Sequence, residues 1–331
     1  MKIAIFSALD RDSRSGNWIT ASRWQKLLRS KGHHVSIVHN NDAAIQSFTD
    51  VFIGLHARRS SQALIQFRKR HPLGSTIVAL TGTDIYRDLA PTRTQHPARA
   101  VRALNECDHI IALQPLMAKR LNRHWRSKSS TVMMDVLPQT KRRTRKNDSS
   151  LNVCVIGHMR HEKDPLRAAM AVRTLPAGVQ IKVSQAGRAL TESFEKRSIL
   201  EQRRNENWEW IGSVPWKQAQ RMMQTSDVLV NSSRYEGAPN VLFEAMSWQL
   251  PVIATKIDGH VGILGADYPA YFQVGDTKAL KNLLMRCHDD KAFYQRLVAR
   301  VKSLTQKYSP GTELKSLLSA IAFARHGQQL A

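Results

Sequence analysis

The sequence predicts an α/β protein with two parallel sheets, and three observations lead to this prediction. Short runs rich in β-branched residues alternate with segments whose apolar residues recur at helical spacing, which is the pattern of β–α–β units. The 331 residues exceed the length that one hydrophobic core usually serves. A polar stretch near the middle interrupts the pattern, which then starts again. We therefore expect two doubly wound domains of similar size.

The first half contains six short apolar runs of the kind that parallel strands show. Amphipathic segments separate several of these runs and predict helices; in the first of them Trp24, Leu27 and Leu28 share one face. The predicted strands are Lys2–Ser7, Val35–His39, Val51–His56, Thr76–Leu80, His109–Leu113 and Thr131–Leu137, and the predicted helices are Ile19–Ser30, Ser61–Arg70, Ala98–Cys107 and Pro115–Arg123.

The pattern restarts after the basic linker 139–150, and it predicts a second domain over 151–308. We expect two Rossmann-like domains, 1–138 and 151–308, whose parallel sheets face each other across a cleft. The tail 309–331 contains a further amphipathic helix that we expect to pack back toward the first domain. The predicted strands here are Leu151–Ile156, Gln180–Ser184, Glu209–Ile211, Val228–Asn231, Val252–Ala254 and Tyr271–Val274, with helices at Pro165–Leu175, Thr191–Arg204, Trp216–Gln224, Asn240–Ser247, Thr277–Cys287 and Gly311–Arg325.

The charge of the chain indicates an anionic partner. Fifty Lys and Arg residues stand against 26 Asp and Glu, a formal net charge of +24. Nucleic acid, an anionic membrane surface and a phosphorylated small molecule are all compatible with this excess. We see no motif of stacking aromatics and no helix-turn-helix pattern, so we expect no nucleic-acid partner. No segment carries Trp and Phe on one face and Lys on the other, so we do not expect membrane association.

Three scattered cysteines, Cys107, Cys154 and Cys287, have neither disulfide nor metal spacing and are typical of reduced thiols. The N-terminal apolar run is too short, and wrongly flanked, for a signal peptide. We therefore expect a cytoplasmic protein. Asp10 and Asp12 formally make a D-x-D motif, but no further ligand cluster accompanies them, so we expect no essential metal and no cofactor.

The segment that follows the strand Val228–Asn231 carries the first functional motif. Two glutamates, Glu236 and Glu244, flank the start of a helix, and Pro239 suits its first turn. The backbone amides of Gly237 and Ala238 then form an anion site at the helix start, while the Glu244 carboxylate fits a vicinal diol such as ribose. Taken alone, the two glutamates favour a simpler interpretation, in which Glu236 caps the helix and Glu244 is a solvated surface residue.

A second motif follows the first strand of this domain. Gly157 is followed by His158, Arg160 and Lys163 before the next helix begins. Arg160 and Lys163 suit a diphosphate and the charge that develops on it as it leaves, although both are also ordinary surface cations in a chain this basic.

Together these motifs resemble the second domain of the retaining glycosyltransferases of family 4, which have the GT-B fold. The resemblance rests on the E-x7-E pair, the run "EGAPNVLFEAMSWQLPVIAT" and the earlier glycine loop. It implies that Glu244 binds the nucleotide ribose, that Arg160 and Lys163 bind the diphosphate, and that Glu236 and Gly237, Ala238, Pro239 and Asn240 contact the donor sugar. The family usually has Arg after the glycine, where this chain has His158. Arg160, Lys163 and Glu236 are thus the expected catalytic residues.

Three loops that follow first-domain strands are candidates for acceptor binding. Gly16 and Asn17 lead into a helix, Arg58 and Arg59 follow a strand directly, and Thr81, Gly82 and Thr83 offer amides and hydroxyls to phosphate oxygens. Asp84 either caps the next helix or takes a proton. Paired arginines in this position suit an acceptor that carries phosphate, although they would equally well solvate a helix start.

The runs "GNWITASRWQKLLRSKGHHV", "GLHARRS", "VALTGTDIYRD" and "GHMRHEKDP" resemble the SenB-type selenosugar synthases of selenoneine biosynthesis, along nearly the whole chain. That resemblance implies transfer of a sugar from UDP-N-acetylglucosamine or UDP-glucose to selenophosphate. UDP leaves, the phosphate is then lost, and a 1-selenosugar remains. A glycosyltransferase that acts on a lipid or glycan acceptor is the alternative, and a nucleic-acid-binding protein is a third reading that only the charge suggests.

Overall fold

The computed structural model describes residues 1–8, 15–39, 49–90, 97–139, 149–308 and 310–326. The chain divides into two compact units. The first consists of Met1–Asp135, Glu236–Pro239 and Pro310–Ala331, and the second of Val136–Tyr235 and Asn240–Ser309. Each unit contains one six-stranded sheet in which every pairing is parallel, so the predicted α/β fold with two doubly wound sheets is confirmed. Most of the predicted linker, 140–148, lies outside the described residues.

The sheet of the first unit has the strand order β2-β1-β3-β4-β5-β6. Alternating residues of its strands point to opposite faces, which explains two separate cores. Phe6 and Phe52 belong to one core, and Ile5 and Ile53 belong to the other. The strands are β1 (Lys2–Phe6), β2 (His34–Val38), β3 (Val51–Leu55), β4 (Ser75–Leu80), β5 (His109–Ala112) and β6 (Ser129–Thr131).

Helices cover both faces of this sheet. They span Gly16–Arg29, Ala57–Arg70, Pro97–Glu106, Pro115–Lys119, Arg123–Ser127 and Thr312–His326, with a short π-helical turn at Asp84–Asp88. The last helix returns from the end of the chain, and its Leu317 and Ile321 pack in the same core as Trp24. Its buried Glu313 accepts hydrogen bonds from Trp24 Nε1 at 2.8 Å and from Arg23 Nε at 2.9 Å.

The sheet of the second unit has the strand order β12-β11-β10-β7-β8-β9. Its strands are β7 (Ser150–Ile156), β8 (Gln180–Ala186), β9 (Trp208–Trp210), β10 (Val228–Asn231), β11 (Val252–Thr255) and β12 (Tyr271–Phe272). The helices span Arg167–Val172, Glu192–Arg204, Trp216–Thr225, Asn240–Ser247, Asp258–Leu264, Thr277–Asp289 and Lys291–Lys307, with a 3-10 turn at His161–Lys163. The central strand β10 is buried along its whole length, which is typical of a sheet with helices on both faces.

The structure corrects one local prediction and adds one long helix to those predicted. The strand predicted at Thr131–Leu137 pairs only over Ser129–Thr131, because the residues beyond it leave the edge of the sheet after Val132 donates its amide to Ala112 O. The long helix Lys291–Lys307 was not predicted. Asp290 ends the preceding helix and also caps this one by accepting a hydrogen bond from Phe293 N at 2.8 Å. Of the helices in the described ranges, none combines the length and apolarity needed to cross a membrane.

Candidate active site

The carboxyl ends of β3 and β4 lie side by side at one edge of the first sheet. His56 follows β3, and Thr81–Asp84 follow β4. The neighbouring strand β1 pairs with β2 on one side and with β3 on the other. The strand order therefore reverses at β1, which makes it a topological switch point. In open parallel sheets, ligands bind at the carboxyl ends next to such a switch point.

Asp84 is the residue that joins these two loops. Its buried carboxylate accepts hydrogen bonds from four backbone amides, those of Ala57, Thr81, Gly82 and Ile85, at 2.8 to 3.1 Å. A carboxylate with this many amide donors holds backbone in place. Asp84 therefore holds the backbone of the loops after β3 and β4 together.

His56 lies at the centre of this cluster. Its ring Nε2 is 2.9 Å from Thr83 Oγ1, and its two ring nitrogens are 3.9 Å from Asp84 and 3.8 Å from Asp88. Burial lowers the pKa of His56, while Asp84 acts in the opposite direction and Arg59 adds to the lowering. The backbone of His56 has a φ of +80°, a strained value for a residue with a side chain. Strain of this kind often marks a functional position.

Arg58 is held by Asp88, whose Oδ2 accepts a hydrogen bond from Arg58 Nε at 2.6 Å. Arg87 Nε donates to the other oxygen of Asp88 at 3.1 Å. Burial alone would raise the pKa of Asp88, but the hydrogen bonds from Arg58 and Arg87 bring it below its ordinary value. Asp88 therefore stays ionised and fixes Arg58, whereas Arg59 is exposed.

Gly16 and Asn17 lie at the start of the helix Gly16–Arg29, which follows β1. Ser15 caps this helix by accepting a hydrogen bond from Trp18 N at 3.2 Å. In the described ranges, no hydrogen bond joins Gly16 or Asn17 to the cluster around His56. Asp10 and Asp12 lie outside the described residues, and the described residues contain no group of three or more His, Cys, Asp or Glu that could hold a metal ion.

The first unit also includes the short stretch Glu236–Pro239. Within this unit, the backbone of Gly237 lies directly against Thr81 and Gly82. A Cβ atom on Gly82 would be 2.3 Å from Gly237 N, and one on Gly237 would be 2.6 Å from Thr81 O. Gly82 also has a φ of +112°, which favours glycine. Backbone is therefore packed against backbone here, and neither position has room for a side chain.

In the second unit, the loops after β7 and β8 are in close backbone contact and are joined by hydrogen bonds. A Cβ atom on Gly187 would be 1.9 Å from Gly157 O, so these two backbones approach as closely as glycine allows. Met159 N donates to Arg188 O at 2.9 Å, and Leu190 N donates to Met159 O at 3.1 Å. The glycine loop predicted from the sequence is therefore a fixed part of the sheet edge.

Three cations surround His158 in this loop. His158 Nδ1 accepts a hydrogen bond from Arg188 N at 3.3 Å. Burial lowers the pKa of His158, and Arg188, Arg160 and Lys163 lower it further. His158 is therefore neutral near pH 7, and the positive charge of the loop comes from the three neighbouring side chains. This position is suited to a di-anionic group.

The loop after β10 is attached to the same turn. Ser232 Oγ donates to the backbone oxygens of Lys163 and Asp164 at 3.1 and 3.0 Å, and Arg234 N donates to Glu162 O at 2.8 Å. Asp164, which has a φ of +44°, accepts a hydrogen bond from Arg167 Nε at 2.9 Å. The two loops that the sequence singled out in this domain therefore meet at one edge of the sheet.

The helix Asn240–Ser247 begins where the sequence predicted it. Glu244 lies inside it and is half-buried, although Phe243, Ala245 and Met246 beside it are fully buried. The Glu244 carboxylate is therefore partly accessible to solvent.

Four residues of these clusters are not among the site residues predicted from the sequence, namely His56, Asp88, Arg188 and Arg234. Two of them carried a usable signal, because His56 and the pair Gly187 and Arg188 come directly after strands, as do the predicted site residues. Asp88 and Arg234 carried none, since their partners depend on how the loops fold.

Comparison with known proteins agrees with this architecture. Residues 138–303, half of the chain, match the family described as Glycosyl transferases group 1. None of the curated proteins matches the chain. Among solved structures, that of Alr3699/HepE from Anabaena in complex with UDP and glucose is similar with a TM-score of 0.75 and 14% identity, covering 97% of this chain and 99% of that one.

Two further solved structures have the same fold at a similar level of sequence identity. Sucrose-phosphate synthase from Thermosynechococcus elongatus gives a TM-score of 0.73 at 15% identity and covers 99% of this chain and 98% of that one. A mutant form of TarM from S. aureus, in complex with fondaparinux, α-GlcNAc-glycerol and UDP, gives 0.66 at 14% identity. The match covers 82% of this chain but only 55% of TarM, so the chain spans about half the length of that protein. The family match and the shared two-domain GT-B fold lead to one conclusion: this chain belongs to the group 1 family of glycosyl transferases.

Proposed function

We propose that the protein transfers a sugar from a UDP-sugar to selenophosphate and releases UDP. The observation that carries the donor half is the close contact between the loops after β7 and β8, which brings Arg160, Lys163 and Arg188 near His158. Cations that lie close together at a strand end stabilise a diphosphate when it binds, and more so when it leaves with additional charge. The structures of HepE with UDP and glucose, and of TarM with UDP, support a UDP-sugar as donor.

The remaining donor contacts are assigned to the E-x7-E motif. Glu244, half-buried on its helix, would accept hydrogen bonds from the ribose hydroxyls. Glu236 and the backbone of Gly237, Ala238, Pro239 and Asn240 would contact the sugar. Because the Gly237 backbone is fixed against Thr81 and Gly82, its position does not depend on a flexible side chain.

The acceptor assignment rests on the resemblance to selenosugar synthases and on the cluster in the first unit. Arg58, oriented by Asp88, presents a guanidinium to an anion, and Arg59 adds exposed positive charge. Thr81, Gly82 and Thr83 form a loop whose backbone is fixed by Asp84. Selenophosphate is a small anion of the size and charge that such a loop binds.

The chemistry then requires two steps in sequence. The selenium atom of selenophosphate attacks C1 of the sugar, and the bond between C1 and the diphosphate oxygen breaks, with its electron pair leaving on UDP. Water then cleaves the selenium–phosphorus bond, which gives inorganic phosphate and the 1-selenosugar. Selenium is a strong nucleophile without base catalysis, so the role of the protein is to hold two anions together and stabilise the leaving charge.

Mass spectrometry of the products is the direct test. We expect a selenosugar when the purified protein is given selenophosphate with UDP-N-acetylglucosamine or UDP-glucose, and equimolar UDP. A panel of glycan and lipid acceptors should give no transfer. Transfer to one of those acceptors, with none to selenophosphate, would refute the acceptor assignment and leave the UDP-sugar assignment in place.

Two pairs of variants separate the donor from the acceptor half. Glu244→Ala should weaken UDP binding by about tenfold or more, because a bidentate acceptor for the ribose is lost, whereas Glu209→Ala on strand β9 should not. Arg58→Ala should raise the KM for selenophosphate with UDP affinity unchanged. Arg70→Ala, which removes the same charge at the other end of the same helix, is its control. Calorimetry with UDP and steady-state kinetics give the two readouts.

A further inference from the structure

The second unit contains a cavity of about 220 Å³ that none of the assigned roles explains. It opens between the turn His161–Lys163, the helix Arg167–Val172 and the beginning of the helix Glu192–Arg204. Apolar side chains form part of its surface, among them Met170 and Phe194. A cavity of this size holds a small organic molecule.

The charge of the cavity is positive. Of the described residues that line it, Arg167, Arg197, Arg234 and His161 are basic, and Asp164 is the one carboxylate. Asp164 is already engaged by Arg167 Nε at 2.9 Å, and Arg167 also donates to Gly275 O and Thr277 Oγ1. Arg167 and Asp164 therefore balance each other, and the charges of Arg197 and Arg234 remain.

Both remaining arginines are positioned for an anion. Arg197 lies with its guanidinium carbon 5.7 Å from the centre of the Phe194 ring, at the apolar side of the cavity. Arg234 has only a long ion pair with Asp164, at 3.6 Å, and its buried Nε has no hydrogen-bond acceptor among the described residues. A buried donor without an acceptor is unfavourable, and an oxyanion in the cavity would supply that acceptor.

Topology places the two helices of this cavity on the opposite face of the sheet from the helix that carries Glu244, whereas Arg234 belongs to the loop that leads into that helix. The chain runs from β7 to β8 and β9 in one direction along the sheet, and then returns through β10 and β11 in the other. Because such crossovers are right-handed, the helices of the first two steps lie on one face and those of the return lie on the opposite face. The cavity is lined by the helices Arg167–Val172 and Glu192–Arg204, whereas Glu244 belongs to the return helix Asn240–Ser247.

We propose that this cavity is a second binding site, for a small organic anion whose phosphate or carboxylate group is bound by Arg197 and Arg234 while its apolar part packs on Phe194 and Met170. The site lies beside the nucleotide site proposed above, because both use the loops after β7 and β10, but its side chains are different ones. Arg234 and Asp164 belong to the two loops joined by Ser232, so the cavity lies where these loops meet.

Titration calorimetry with phenyl phosphate on the intact protein tests this proposal. We expect one molecule bound per chain, with affinity reduced about tenfold or more by Arg197→Ala and by Arg234→Ala. Arg203→Ala, which removes an exposed charge from the same helix but does not line the cavity, should leave the affinity within about twofold of the wild type. Arg197 is exposed, so its replacement leaves the fold intact even if Arg234→Ala does not fold.

Three further arms identify the ligand class and the location. The affinities of phenylacetate and phenyl phosphate are compared, and the tighter binder shows whether the cavity prefers a carboxylate or a phosphate group. Inorganic phosphate should bind more weakly than phenyl phosphate, and equal binding would overturn the assignment of an organic ligand. Saturating UDP should leave phenyl phosphate bound. Displacement by UDP, an unchanged affinity in Arg197→Ala, or no binding of either probe would overturn the proposal.

Discussion

The carboxylate of Asp84 accepts a hydrogen bond from the backbone amide of Ala57 at 3.1 Å, which ties the loop after β4 to the first residue of the helix after β3. Asp84→Asn keeps the shape but replaces one acceptor oxygen with a donor that faces backbone amides. We expect a loss of unfolding free energy of about 2–3 kcal/mol, measured by urea denaturation. Unchanged stability with a large fall in kcat would instead support the proton-accepting role of Asp84.

Gly82→Ala should be costly for two reasons, the positive φ and the collision with Gly237 N. Gly178→Ala measures the cost of the positive φ alone, because Gly178 has a φ of +84° and a Cβ atom added there would have nothing within 4 Å. We expect Gly178→Ala to lose about 1 kcal/mol from strain alone and Gly82→Ala to lose clearly more, together with most of the transferase activity. Thermal unfolding and initial rates measure both effects. Equal losses in the two variants would mean that the contact with Gly237 has no energetic importance.

The burial of His109 leads us to predict a specific loss of stability in acid. Burial, and then the charge of Lys128, lower its pKa from 6.5 to about 4. Between these two pH values the unfolded chain binds a proton at His109 that the folded chain does not. The contribution of neutral His109 to the free energy of unfolding is therefore fully present above pH 6.5 and is lost as the pH falls toward 4, by roughly 3 kcal/mol at most.

His109→Gln is the matched variant for this prediction. Its amide can replace the contact of His109 Nε2 with Ser130 Oγ at 2.8 Å, but it does not titrate. The difference in unfolding free energy between the wild type and His109→Gln, followed by denaturation across this pH range, should therefore shrink as the pH falls. A difference that is independent of pH would contradict the buried, neutral state of His109.

Arg188→Ala should weaken UDP binding by about tenfold, because one of the three cations around His158 is removed. Lys217→Ala, which removes an exposed charge from the helix Trp216–Thr225, should have little effect and serves as the control. The same calorimetric titration at low and high salt should show a smaller salt dependence for Arg188→Ala. Identical affinities of the two variants would exclude Arg188 from the diphosphate site.

The fold was largely predictable from sequence because each element has a local signal. Buried strands such as Val228–Asn231 are continuous apolar runs, and the residues just after them are the ones that parallel sheets place at one edge. This rule led to Lys163 and Thr81. It could not give the partners of His158 or Arg234, since these lie on loops after other strands and depend on strand order. The helix Lys291–Lys307 was missed because a single residue, Asp290, separates it from the helix before.

The return of the helix Thr312–His326 to the first unit affects the order in which the protein folds on the ribosome. Leu317 and Ile321 complete a core that also contains Trp24, yet they are synthesised after the entire second unit. Until this helix is synthesised, the core that it completes lacks these side chains, and we expect apolar surface of the first unit to remain exposed on the nascent chain. A fragment that ends before residue 310 would keep this surface uncovered, so the two lobes cannot be studied separately by simple truncation at the linker.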